Sequence, residues 1–96
     1  MKETEERYGP IQQVTRSCVG VPANLAEGDS RGTRKDYAHF VSIARGSLME
    51  TETYVMISER LGFATHQSTR DVLDRITEVG RMLTTLRQRL LEARPQ

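Results

Sequence analysis

The chain of 96 residues has a single cysteine, no tryptophan and no long run of apolar residues. One cysteine cannot form a disulfide within the chain, and no segment approaches the roughly 20 apolar residues that a membrane-spanning helix needs. Charged side chains are scattered through the first twenty residues, where a signal peptide would need an apolar stretch. We therefore expect a cytoplasmic protein with no membrane partner.

An excess of charge of one sign is also missing. The 14 basic and 13 acidic residues give a formal net charge of +1, which excludes a charged disordered tail and a strongly basic nucleic-acid binder. The length predicts one domain spanning residues 1–96, because domains usually have roughly 100–200 residues. Only 36% of the residues are hydrophobic, so we expect a thin core.

Glycine and proline divide the chain into three segments, and we predict helices at about 10–27, 33–61 and 66–93. The first segment has apolar residues in steps of 3, 4, 3 and 4, which is typical of an amphipathic helix. This pattern places Cys18 in the core, and Pro22 predicts a kink or break. The apolar positions are Ile11, Val14, Cys18, Val21 and Leu25.

The second segment begins at Thr33, a predicted N-cap with Asp36 three residues later, and ends before Gly62. Its main apolar stripe is Tyr37, Phe40, Val41, Ala44, Leu48, Thr51 and Val55. Further apolar residues flank this stripe, so the helix should contact more than one neighbour, including another subunit. The candidate oligomer-interface residues are Met49, Met56, Ile57 and Leu61.

The third segment begins after Thr65 or Ser68 and has apolar residues in steps that average 3.5, the pattern of a bundle-type seam. The seam residues are Val72, Ile76, Val79, Leu83, Leu86 and Leu90. Gly46 and Gly80 fall inside helices, which predicts close helix approach at both. No strand-like alternation is present, so the fold class is all-α, an antiparallel helical bundle of three helices.

Basic residues cluster where the second helix begins, and cations are disfavoured at the positive end of a helix dipole. Free backbone N–H groups and basic side chains together suit a phosphate, but a solvated turn balanced by Asp29 and Asp36 is the other interpretation. The candidate nucleic-acid-binding residues are Arg16, Arg31, Arg34 and Lys35. A second group of arginines lies near the C-terminus of the last helix. Cations are stabilised at this negative end of the helix dipole, so a structural role is predicted, with RNA contact as the alternative. The group comprises Arg81, Arg87, Arg89 and Arg94.

Residue spacing gives no support for catalysis. His39 and His66 stand apart from other potential metal ligands, and no glycine-rich loop follows a strand. We therefore expect no metal, no cofactor and no catalytic residue. Glu50 and Glu52 are expected to pair with arginines rather than to transfer protons.

Several runs resemble one known family. The octet Val-Pro-Ala-Asn-Leu-Ala-Glu-Gly at 21–28, followed by Arg-Lys-Asp-Tyr at 34–37, resembles the signature of the 23S rRNA intervening-sequence proteins, a bacterial four-helix-bundle family. The runs at 46–53 and 61–63 resemble further family segments, and Glu-Arg-Tyr-Gly at 6–9 resembles the linker before the family's second helix. The resemblance covers about residues 6–91 and matches helices two to four.

The resemblance implies the rest of the expected function. Family members begin with a further helix that contains a tryptophan; either this chain is part of a longer one or it works as a three-helix version. The family's homopentamers suggest a homo-oligomer, and its name suggests RNA or a ribonucleoprotein as partner, without catalysis. The alternatives are a purely structural oligomerisation module and an accessory partner of a reverse transcriptase or nuclease. The residues of the family-motif surface are Asn24, Glu27, Glu50 and Glu52.

Overall fold

The part of the chain that the structure describes folds into three helices. The computed structural model describes the backbone of residues 2–92 and the side chains of residues 9–92. Helix α1 spans Lys2–Ser30, α2 spans Arg34–Arg60 and α3 spans His66–Leu91. The described part of the chain contains no strand, so the all-α prediction is confirmed.

Helix α1 is longer than its apolar pattern predicts. It begins at Lys2 and passes without interruption through Gly9, Pro10 and Pro22. The stretch expected to be a linker is therefore helical, because residues 2–7 are mostly Lys, Glu and Arg, which are strong helix formers. The predicted break at Pro22 does not occur, although proline has no N–H to donate to the Cys18 carbonyl.

The helix ends follow the predicted capping residues. The hydroxyls of Thr33 and Thr65 accept hydrogen bonds from the backbone N–H groups of Asp36 and Ser68, each at 3.1 Å. Gly62 has a φ of 81° directly after α2. The backbone N–H of Phe63 donates to the Ser58 carbonyl at 2.9 Å, which completes a Schellman ending.

Helix α2 occupies the middle of the fold. It packs against both α1 and α3, whereas α1 and α3 do not pack against each other within residues 2–92. The Cα atoms extend over 61 × 24 × 12 Å, so the three helices form a flat, open layer. The hydrophobic core consists of Val21, Val41, Ala44, Leu48, Val55, Ile76 and Leu83.

The contact between α1 and α2 uses small residues. A Cβ added at Gly20 would lie 2.6 Å from Ser47 Oγ, and one added at Gly28 would lie 2.8 Å from Phe40 Cβ. The prediction that Gly46 marks close helix approach is wrong, because a Cβ there would meet nothing within 4 Å. The tight approach instead occurs at Gly20 and Gly28 of α1.

This close packing leaves part of the apolar stripe of α1 uncovered. Ser17, Val21 and Gly28 are buried, whereas Cys18 is exposed and Ile11 is 43% exposed. The prediction of a core Cys18 is therefore wrong. The side of α1 that bears small residues faces α2, so Ile11 and Cys18 remain exposed.

Helix α3 follows its predicted seam more closely. Ile76 and Leu83 are buried, and Val79, Leu86 and Leu90 are half-buried against the core. Gly80 is close to α2, since an added Cβ would lie 3.6 Å from Leu48 Cδ2, an ordinary contact distance. Val72 is 41% exposed, so the seam is open at that end.

Candidate functional site

Arg31 lies in the turn that connects α1 to α2. Its Nε donates to a carboxylate oxygen of Glu27 at 3.0 Å, and its guanidinium carbon lies 4.9 Å from the centre of the Phe40 ring. Both ionic partners remain largely accessible, with about half of each side chain exposed. The Arg31 guanidinium is thus oriented by a carboxylate and an aromatic ring of its own chain.

Arg34 reaches from the first turn of α2 to the end of α3. Its Nε donates to the Leu90 carbonyl at 3.2 Å, and a terminal N–H donates to the Arg89 carbonyl. These carbonyls belong to the last turn of α3, at the negative end of the helix dipole, where the Arg89 carbonyl also accepts from the backbone N–H of Glu92 at 3.4 Å. The position of Arg34 therefore closes one end of the three-helix layer.

The remaining predicted basic residues are separated. Lys35 is exposed beside Arg34, so the structure brings Arg31, Arg34 and Lys35 together at one end of the molecule. Arg16 lies fourteen residues before the end of α1, or about 21 Å along the helix. Arg16 is consequently not part of this basic cluster, and Arg94 of the C-terminal group lies outside the described residues.

Asn24 and Glu27 serve local contacts in α1. The Asn24 side-chain amide donates to the Gly20 carbonyl at 2.7 Å, and the residue is half-buried beside α2. This carbonyl is not the one that Pro22 leaves without a donor, which belongs to Cys18. Glu27 is exposed and binds Arg31.

Glu50 and Glu52 are on different sides of α2. Among the described side chains, neither forms an ion pair within 4.0 Å, although pairing with arginines was expected. Glu50 is exposed on the side of α2 away from the core. Glu52 lies with Arg45 and Arg81 in a groove between α2 and α3 that has a volume of about 510 Å³.

The predicted interface residues of α2 are all exposed. Met49, Met56, Ile57 and Leu61 have exposed fractions of 40%, 46%, 40% and 54%. Met49 lines the groove between α2 and α3. The apolar residues that flank the main stripe of α2 are therefore left uncovered by α1 and α3.

A second groove separates α1 from α3 on one face of the layer. It has a volume of about 240 Å³ and is mainly apolar. Ile11 and Val14 of α1, Val55 of α2 and Val72 of α3 line it, together with Phe63. The first two residues of the α1 stripe thus border this groove.

Sequence reasoning missed two features of the surface. Arg45 and Arg81 come together only because α2 and α3 are antiparallel neighbours, and their positions in the sequence give no signal of this. Met82 is 62% exposed, the largest exposed fraction among the large hydrophobic residues described. Its position off the seam, directly before Leu83, is a signal that could have identified it.

Within the described residues, no three His, Cys, Asp or Glu side chains are grouped so that they could hold a metal ion. In the same part of the chain, none of the helices combines the length and the apolar character needed to cross a membrane. The polar side chains singled out above are engaged in capping and ion pairing or lie on open surfaces.

The fold and these surfaces define an all-α protein, an open three-helix layer with two accessible grooves, one mainly apolar and one that contains Arg45, Arg81 and Glu52. The sequence matches the family described as 23S rRNA-intervening sequence protein over residues 1–85. The chain therefore belongs to the 23S rRNA-intervening sequence protein family, as its motifs indicated. None of the curated proteins compared with the chain matches it.

Proposed function

We propose that this member of the 23S rRNA-intervening sequence protein family is a non-enzymatic protein that works as a homo-oligomer. The observation that supports this most directly is the exposure of Met49, Met56, Ile57 and Leu61 along α2 and at its C-cap. Apolar side chains exposed to water do not stabilise the fold. Burying them in a subunit contact stabilises the protein by about 25 cal/mol per Å² of apolar surface, which matters most for a chain with a thin core. Association with further copies covers them.

The oligomeric state tests this proposal. Light scattering coupled to size-exclusion chromatography is expected to give a mass of several subunits at micromolar concentration. Met49→Glu combined with Met56→Glu should shift the mass toward the monomer and lower the melting temperature, because carboxylates would enter the contact. Gln12→Glu combined with Ala23→Glu adds the same charge at exposed positions of α1 and is the matched control.

A wild-type protein that stays monomeric and fully folded at all accessible concentrations would refute self-association. The same mass for the methionine variant and its control would show that Met49 and Met56 lie outside the contact.

RNA, or a ribonucleoprotein, is the proposed partner of this oligomer. Its support is the exposed Lys35 at the start of α2 and the pair Arg45 and Arg81 in the 510 Å³ groove. Repetition of these cations around an oligomer would multiply weak phosphate contacts.

Retention of a structured RNA on the immobilised protein should decrease steeply as salt rises, since phosphate contacts release counterions. Arg45→Gln combined with Arg81→Gln should weaken retention, whereas Arg70→Gln, at an exposed position of α3 outside this groove, should not. Absence of salt-sensitive retention would leave a purely structural oligomerisation module.

A further inference from the structure

We propose that the homo-oligomer forms by a head-to-tail contact in which one row of α2 docks antiparallel along one row of α3 in the next copy. This contact rests on the proposed self-association and adds to it a second surface of α2, on a different side of the helix from Met49 and Met56. Each copy would contribute α2 to one neighbour and α3 to the other. Two rows of exposed residues, each with members seven positions apart, form this contact.

The α2 row comprises Asp36, Ile43, Glu50 and Ile57. Seven residues are close to two helical turns, so the four side chains follow one line about 31 Å long. All four are exposed, and Ile43 and Ile57 are 39% and 40% exposed. Acidic and apolar side chains alternate along a side of α2 that neither α1 nor α3 covers.

The α3 row comprises Arg75, Met82 and Arg89. All three are exposed, and Met82 is 62% exposed. None of these side chains forms an ion pair within the described residues. Two cations therefore flank an exposed apolar side chain on the outer surface of α3.

The two rows are complementary in charge and spacing. Asp36 and Glu50 are fourteen residues apart, as are Arg75 and Arg89, so each pair spans about 21 Å. Aligned antiparallel, the rows place the acidic residues opposite the arginines at both ends and Ile43 opposite Met82 between them. Both ion pairs would flank a buried apolar contact.

Helix length selects the antiparallel orientation. In that orientation Ile57 lies opposite position 68, inside α3, so all four members of the α2 row remain on the partner helix. In a parallel orientation Ile57 would lie opposite position 96, beyond the end of α3 at Leu91. Only the antiparallel contact uses the whole α2 row.

The contact joins two different surfaces, so a dimer would leave one row of each kind unpaired. Further copies would add until a ring closes or a filament grows. This consequence separates the proposal from a symmetric contact between two α2 helices.

Charge reversal tests the contact on the full chain. Glu50→Arg and Arg75→Glu, made separately, should each weaken association by about tenfold, because each places like charges opposite one another. Arg70→Glu makes the same reversal at another exposed position of α3 and should leave association unchanged. Circular dichroism checks that every variant remains helical, and sedimentation velocity measures the mass.

Combining the two reversals is the decisive measurement. In an alternating assembly of the two single variants, the arginine introduced at position 50 meets the glutamate introduced at position 75, while the next contact keeps the wild-type pair. An equimolar mixture should therefore associate more strongly than either variant alone. The double variant restores an opposite-charge pair at every contact, so it should recover the wild-type mass. Failure of both to recover, or unchanged association of either single variant, would overturn this contact.

A monomeric wild type would overturn the proposed self-association itself. If both charge-reversal variants assemble as the wild type does, this pair of surfaces is refuted, but self-association is not.

Discussion

The two sides of α2 are packed in different ways. Toward α1, the helices meet through Gly20, Gly28 and a buried hydrogen bond of 2.9 Å from Thr51 to Ser17. Toward α3, the contact is made by large aliphatic side chains, with Ile76 and Leu83 both buried.

The difference shows how one helix can pack against two neighbouring helices through different kinds of side chain. Small residues let the α1 backbone approach closely and fix its rotation, whereas the aliphatic seam of α3 supplies most of the apolar burial on its side. As a result, Ile11 and Cys18 of the α1 stripe are left exposed although Val21 is buried, whereas most of the α3 seam contacts the core. Substitutions in the two interfaces should therefore lower the stability of the protein for different reasons.

The largest effect is expected for Leu83→Asp in the aliphatic interface. The side chain is 4% exposed, so a carboxylate there would be buried without a partner. We expect a loss of about 4–5 kcal/mol, close to the whole stability of a small domain. Thermal unfolding followed by circular dichroism at fixed protein concentration measures it. Thr85→Asp, on an exposed part of α3, should have a small effect; equal melting temperatures would show that Leu83 is not core.

An intermediate effect is expected for Gly28→Ala in the close interface. The added Cβ would lie 2.8 Å from Phe40 Cβ and 3.3 Å from Tyr37 Cα, so the α1 backbone must move. Overpacking costs about 1–3 kcal/mol and exceeds the gain of roughly 1 kcal/mol in helix propensity.

Gly80→Ala provides the matched control for that variant. Its Cβ would meet Leu48 Cδ2 at 3.6 Å, which needs no adjustment, so stability should rise by up to about 1 kcal/mol. Urea unfolding measures the change in the free energy of unfolding for each variant, which should be negative for Gly28→Ala and positive for Gly80→Ala. A stabilising Gly28→Ala would contradict the distinction between the interfaces.

The smallest effect is expected for Arg34→Ala, which removes the link between the start of α2 and the end of α3. Loss of its hydrogen bonds to the Leu90 and Arg89 carbonyls should cost about 1 kcal/mol, because the site is only half-buried. Amide hydrogen exchange should increase in the last turn of α3. Lys35→Ala, at the exposed neighbouring position, should leave that exchange unchanged.

Local patterns determined much of the fold. The caps at Thr33 and Thr65, the αL glycine at Gly62 and the α3 seam depend on neighbouring residues along the chain, so they could be recognised directly. The family motifs are equally local, and the match over residues 1–85 confirms them.

Tertiary structure alone decided which side of each helix is covered. Helical periodicity identifies an apolar side but does not say whether the neighbouring helix packs there, and close contact at Gly20 and Gly28 turned Cys18 outward. Arg34 was recognised as basic, yet its use as a cap for α3 depends on a neighbour more than fifty residues away. The sequence thus determined the helices and their ends, because those depend on local interactions. Their rotation and the surfaces left open required the packing of all three helices, which depends on contacts between distant residues.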